Sequence, residues 1–103
     1  MKNQDFLEQL ILKLNPDIDD TGLEMMVSDA EPVLEEWVFT NIIARLDLKQ
    51  REEIITISKN NNYTEWDSYK YLSKAIPDYE NFIQKIYDDF EKMYKENFEN
   101  FKQ

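Results

Sequence analysis

The chain has 103 residues, 42% of them hydrophobic and 14% aromatic, a net charge of −10, and neither cysteine nor histidine. That apolar content separates it from disordered acidic tails, which cannot bury enough surface to offset chain entropy. The two missing residue types exclude disulfides, zinc–cysteine sites, thiol nucleophiles and imidazole general bases.

A first helix is predicted from Asp5 to Leu14, where Phe6, Leu7, Leu10, Ile11 and Leu14 recur at three- and four-residue spacing. Asn15-Pro16 ends it, because proline disfavours helical geometry in the residue before it. After the connector Asp17-Ile18-Asp19-Asp20, Thr21 and Glu24 have the spacing of a capping box and open a second helix, Gly22 to Leu46. Its inner stripe is Leu23, Met26, Val27, Ala30, Val33, Leu34, Trp37, Val38, Asn41 and Ile42. Pro32 interrupts this run and predicts either a kink or a junction of two helices between Ser28 and Val33, since proline removes a backbone hydrogen bond. From Trp37 to Leu46 the helix is apolar on nearly every face, with Phe39, Ile43 and Ala44 off the stripe. Such a segment is expected at the centre of a bundle, with Trp37, Ile42 and Ile43 largely buried.

A third helix starts at the cap Asp47, with Gln50 in capping-box position, and runs to Lys59; Leu48, Ile54, Ile55 and Ile57 are its apolar residues. Asn60-Asn61-Asn62 is a turn. Thr64 and Asp67 then cap a fourth helix from Glu65 to Ala75, with Trp66, Tyr69, Leu72 and Ile76 facing inward. Ile76-Pro77 closes it, and Asp78 is expected to cap a long last helix with Ile83, Ile86, Tyr87, Phe90, Met93, Tyr94, Phe98 and Phe101 on one side. The fold class is therefore all-α: a single domain over residues 1–103, a bundle of four to five helices with a kinked central helix and a long C-terminal helix.

Charge is unevenly spread. Residues 1–36 carry ten acids against Lys2 and Lys13, a net of −8; residues 37–77 are at +1 and residues 78–103 at −3. This balance argues against direct nucleic-acid binding and against docking on an anionic membrane. The opening segment lacks the basic start and apolar run of a signal peptide, and no stretch approaches a membrane span, so a cytoplasmic protein is expected.

Local motifs carry little chemistry. Asp17-x-Asp19-x-Thr21-Gly22 copies the opening of a calcium loop, but Ser28 stands where that loop needs a bidentate glutamate. The doublets Glu35-Glu36, Glu52-Glu53 and Asp88-Asp89 point about 100° apart on their helices and make poor acid–base dyads. The aromatics Tyr63, Trp66, Tyr69, Tyr71 and Tyr79 are dense enough for a base-stacking platform, yet only Lys59, Lys70 and Lys74 lie nearby. Core packing or a protein-binding surface explains them better. No cofactor and no enzymatic activity is expected.

The stretch Leu34 to Phe98 resembles a family of short acidic helical proteins from candidate-phylum bacteria with small genomes. The resemblance rests on the apolar helix ending Ile42-Ile43-Ala44-Arg45-Leu46, the acid-rich cap and helix Asp47 to Ile57, and Ile76-Pro77-Asp78 leading into an acidic–aromatic last helix. Asn60-Asn61-Asn62-Tyr63 departs from the acidic, glycine-containing turn of that pattern. The resemblance implies a helical fold and no assigned activity. Function is thus expected to be a non-enzymatic protein–protein interaction module. One form of it is self-association, as a homodimer, through Met93, Tyr94, Phe98 and Phe101 of the last helix. The alternative is an acidic inhibitor or nucleic-acid mimic that occupies a basic partner protein.

Overall fold

Capping chemistry sets most of the helix limits in the structure, a computed structural model that describes residues 3–102; the side chains of Glu65, Asn100, Phe101 and Lys102 lie outside the description. The elements are α1 (Asn3–Leu14), α2 (Asp20–Arg45), α3 (Leu48–Ser58), α4 (Glu65–Ala75) and α5 (Tyr79–Lys102), with no strand among the described residues. The Asp47/Gln50 and Thr64/Asp67 capping boxes both form, each satisfying two amides that the first turn leaves without partners.

One expected cap is different in the structure. Helix α2 is capped by Asp19, whose carboxylate accepts from the Gly22 amide at 2.7 Å, and Thr21 is already helical. Gly22 has a local reason to be glycine: a Cβ there would lie 3.0 Å from both the Asp19 Oδ1 and the Ile18 side chain. Because residues from Asp20 onward are helical, the segment has no room for a twelve-residue calcium loop. Asp78 holds the cap position of α5 through its carbonyl, which accepts from the Phe82 amide at 3.1 Å. It sits at φ 59°, in the left-handed region that aspartate tolerates better than most residues, and its carboxylate accepts from the Asn81 side chain at 2.8 and 3.0 Å.

Helix α2 runs unbroken through Pro32, so the two-helix alternative is not what forms. The proline leaves the Ser28 carbonyl without an intrahelical donor, and both residues are exposed.

Two apolar clusters hold the chain together. The larger joins Leu7, Leu10 and Ile11 of α1, Val27, Ala30 and Leu34 of α2, and Phe90 of α5. Helices α2 and α5 run antiparallel across it: the Trp37 indole N–H donates to the Ile86 carbonyl at 3.1 Å, and Asp29 lies near Tyr94 at the other end. Tyr87 ties α5 to α1 by an edge contact with Phe6 and a 2.6 Å hydrogen bond to Asn3. The smaller cluster gathers Leu46, Ile54, Leu72 and Ile76. There Arg51 donates through Nε to the Ile43 and Leu46 carbonyls, at 2.8 and 3.1 Å, fastening α3 to the end of α2.

This arrangement overturns the expected core centre. Trp37, Ile42 and Ile43 are only half-buried, Phe39 is 59% exposed and Val33 51% exposed, whereas Leu34 is fully buried. The heart of the larger cluster is the α1–α2–α5 junction. The molecule is elongated, 45 × 26 × 18 Å, with a radius of gyration of 15.8 Å. A compact chain of this length would have about 13 Å.

Candidate groove between helix 2 and the helix 3–helix 4 hairpin

The half-buried part of α2 borders a groove of about 580 Å³. One face of α2 supplies its long wall: Glu31, Glu35, Val38, Phe39, Ile42 and Ile43 follow one another at helical spacing. Ile54, Ile55 and Ser58 of α3 and Ser68, Tyr69 and Leu72 of α4 form the opposite wall; Tyr63, Tyr79 and Tyr87 complete it. Polarity changes along its length. The Glu31 and Glu35 end lies beside Asn3 and Gln4 of α1, with the Gln4 amide donating to the Glu31 carboxylate at 3.3 Å. The other end is lined by isoleucines. None of the described lining residues is a lysine or arginine.

Aromatic contacts fix the α4 edge. Trp66, 60% exposed, stacks on Tyr69 with ring centroids 5.3 Å apart, and Tyr69 meets Tyr79 edge-on at 5.7 Å. The Tyr69 hydroxyl donates to Glu80 at 2.6 Å, and that bond, more than the charge itself, raises its pKa. Tyr63 and Ser68 share a short hydrogen bond across the turn before α4. On the far side of the hairpin the Tyr71 hydroxyl donates to Glu53 at 2.5 Å. Burial and then that bond push Tyr71 up to about 12. The cluster singled out in the sequence is thus divided: Tyr63, Tyr69 and Tyr79 line the groove, Trp66 stacks at its edge, and Tyr71 braces α4 against α3.

One residue in each of two acidic doublets takes an ordinary structural bond. Glu53 takes the Tyr71 hydroxyl, and Asp88 takes the Gln84 amide at 3.0 Å. Among the described residues no group of three or more metal-binding side chains converges, and no helix is long and apolar enough to cross a membrane.

The stripe on α5 is largely engaged within its own chain. Met93 and Tyr94 pack on the α1–α2–α5 cluster, Tyr94 stacking on Phe90 at 5.9 Å with its pKa raised by burial first and then by Asp29. Phe98 is half-buried, and the Phe101 side chain lies outside the described residues. Lys13 pairs with Glu91 at 3.3 Å alongside, an exposed contact between α1 and α5.

No family model matches the chain, and no curated protein or solved structure shows significant similarity to it.

The groove is not legible in the sequence, because its residues come from separate helices. The available signal was the off-stripe pair Phe39 and Ile43, apolar where a two-faced helix would be polar.

Proposed function

We propose that the chain is a non-enzymatic protein–protein interaction module that works through the groove between α2 and the α3–α4 hairpin. The observation that carries this reading is the exposure of Phe39. It sits at 59% with Ile55 at 45% across from it, in a helix segment whose composition is that of a buried one. Large apolar side chains gathered on one concave surface lose burial energy in water, about 1.5–3 kcal/mol for each fully exposed one, and recover it when a partner covers them. The function lies in the cytoplasm in this reading, which the cysteine-free sequence suits. Membranes and nucleic acids are poor partners for a chain of net charge −10.

A second reading, occupation of a basic partner's cleft by the acidic first third, draws on the exposed Asp17, Asp19, Asp20 and Glu24 around the start of α2. Site-specific photo-crosslinking in the organism that makes the chain separates the two. A benzophenone side chain at Phe39 or Ile55 is expected to give a discrete protein adduct, while one at Asp20 gives none. An adduct from Asp20 alone would favour the acidic surface. No adduct from either groove position would overturn the proposal.

A further inference from the structure

We infer that the occupant of the groove is an amphipathic helix of a partner protein, about three turns long, apolar along most of its length and basic at one end. This rests on the reading of the groove as a protein-binding surface. Three observations define the partner's chemistry. The backbone amides and carbonyls of the described residues are organised in helices, with no strand edge, so an extended peptide has no ladder to join. A helix laid in an apolar groove is the mode that suits a long wall with its apolar side chains at helical spacing. The α2 face from Glu31 to Ile43 is about 18 Å long at the usual helical rise, which matches about twelve residues of a bound helix. The charges along that face are Glu31 and Glu35 at one end, with no described lysine or arginine on any wall to balance them. A partner bringing lysine or arginine to that end gains attraction, and one bringing carboxylates meets repulsion.

A second copy of this chain fits less well. It would bring another net −10 to a groove whose only described charges are the two carboxylates at one end. Its most sharply two-faced helix, α5, already packs Met93 and Tyr94 against its own core.

Three labelled synthetic peptides of fourteen residues test the inference against the full chain. One is an amphipathic leucine–lysine helix with its lysines grouped at one end. The second has glutamate in place of every lysine, and the third is a scramble of the first without an apolar face. Binding is read by amide chemical shifts and by fluorescence anisotropy at two salt concentrations. The lysine helix is expected to shift residues 31–43 and Ile55 and to bind at least about tenfold more tightly than either control. The double variant Glu31→Gln, Glu35→Gln should narrow that preference by about three- to tenfold at low salt and much less at high salt.

Equal binding of the lysine and glutamate helices in the groove would overturn the basic occupant while leaving the groove as a protein-binding surface. Equal binding of the scramble, with shifts spread over Asp17, Asp19 and Asp20, would overturn it in favour of unspecific charge attraction. If no peptide moves the groove residues at millimolar concentration, the inference fails; absence of crosslinks from Phe39 and Ile55 would then remove the groove reading as well. A dimer that buries Phe39 in sedimentation and shift mapping would overturn it in favour of self-association.

Discussion

Leu34 and Phe39 sit five residues apart on the same helix, and their environments are opposite. Leu34 is fully buried beneath α1 and α5, and Phe39 faces the groove. Leu34→Ala should cost about 2–5 kcal/mol, since it removes core atoms and leaves a cavity. Phe39→Ser should stay within about 0.5 kcal/mol, as for most surface changes. Urea melts of the two variants check the contrast; equal losses would return the core to the Trp37–Leu46 segment. Tyr71 and Tyr79 carry a second consequence at this scale. Burial, followed by Glu53 for the first and Glu80 for the second, pushes both up to about 12 from an ordinary value of 10.0. Between those values the unfolded chain gives up protons that the folded one keeps. The stabilisation is therefore fully present below pH 10 and is lost as pH rises toward 12. Stability measured across that range should fall, and Tyr71→Phe should flatten the slope; a slope unchanged in the variant would count against the Tyr71 assignment.

At the scale of the helices, Pro32 inside α2 works against its element. Pro32→Ala restores a donor for the Ser28 carbonyl at an exposed position, so it should raise stability by about 1–3 kcal/mol. A lower melting temperature in that variant would mean that the proline is needed where it stands. Helix limits were legible wherever one cap had no competitor: Asp47 with Gln50 and Thr64 with Asp67 were read correctly from spacing alone. The start of α2 was not, because Asp19, Asp20 and Thr21 are consecutive and any of them can cap. What decides is that Gly22 lets the Asp19 carboxylate approach, a fact of three dimensions. Asp78 stands at the start of α5 as its position suggests, but the turn after Pro77 places it in the left-handed region, where its carboxylate meets the Asn81 side chain. The core centre was misplaced because periodicity reads one helix at a time. It shows that residues 37–46 are apolar all round but not which of their faces find a neighbour within the chain.

Over the whole molecule, the two clusters differ in depth. The α1–α2–α5 cluster contains Leu7, Ile11, Leu34 and Phe90 with no exposed surface, while the cluster around the α3–α4 hairpin rests on four aliphatic side chains. Opening the hairpin therefore exposes less than global unfolding does. Its amides should exchange with solvent through a lower-energy opening than those of residues 7–11 and 27–34. Hydrogen exchange resolved by residue checks this, and uniform protection across both clusters would refute it. The same division explains why the groove lies where it does: α2 spans both clusters, and the stretch between them is left with a wall and no filling. The two tryptophans fall on either side of this division. Trp37 is half-buried with its indole N–H held by the Ile86 carbonyl, whereas Trp66 is exposed and stacked on Tyr69 at the groove's edge. The chain thus carries two indole fluorophores with separate duties: a neutral quencher in solution reaches Trp66 first, and light emitted by Trp37 reports whether α2 and α5 are still together. An unlabelled partner settling against Tyr69 would dim or shift one colour component and leave the other as an internal standard.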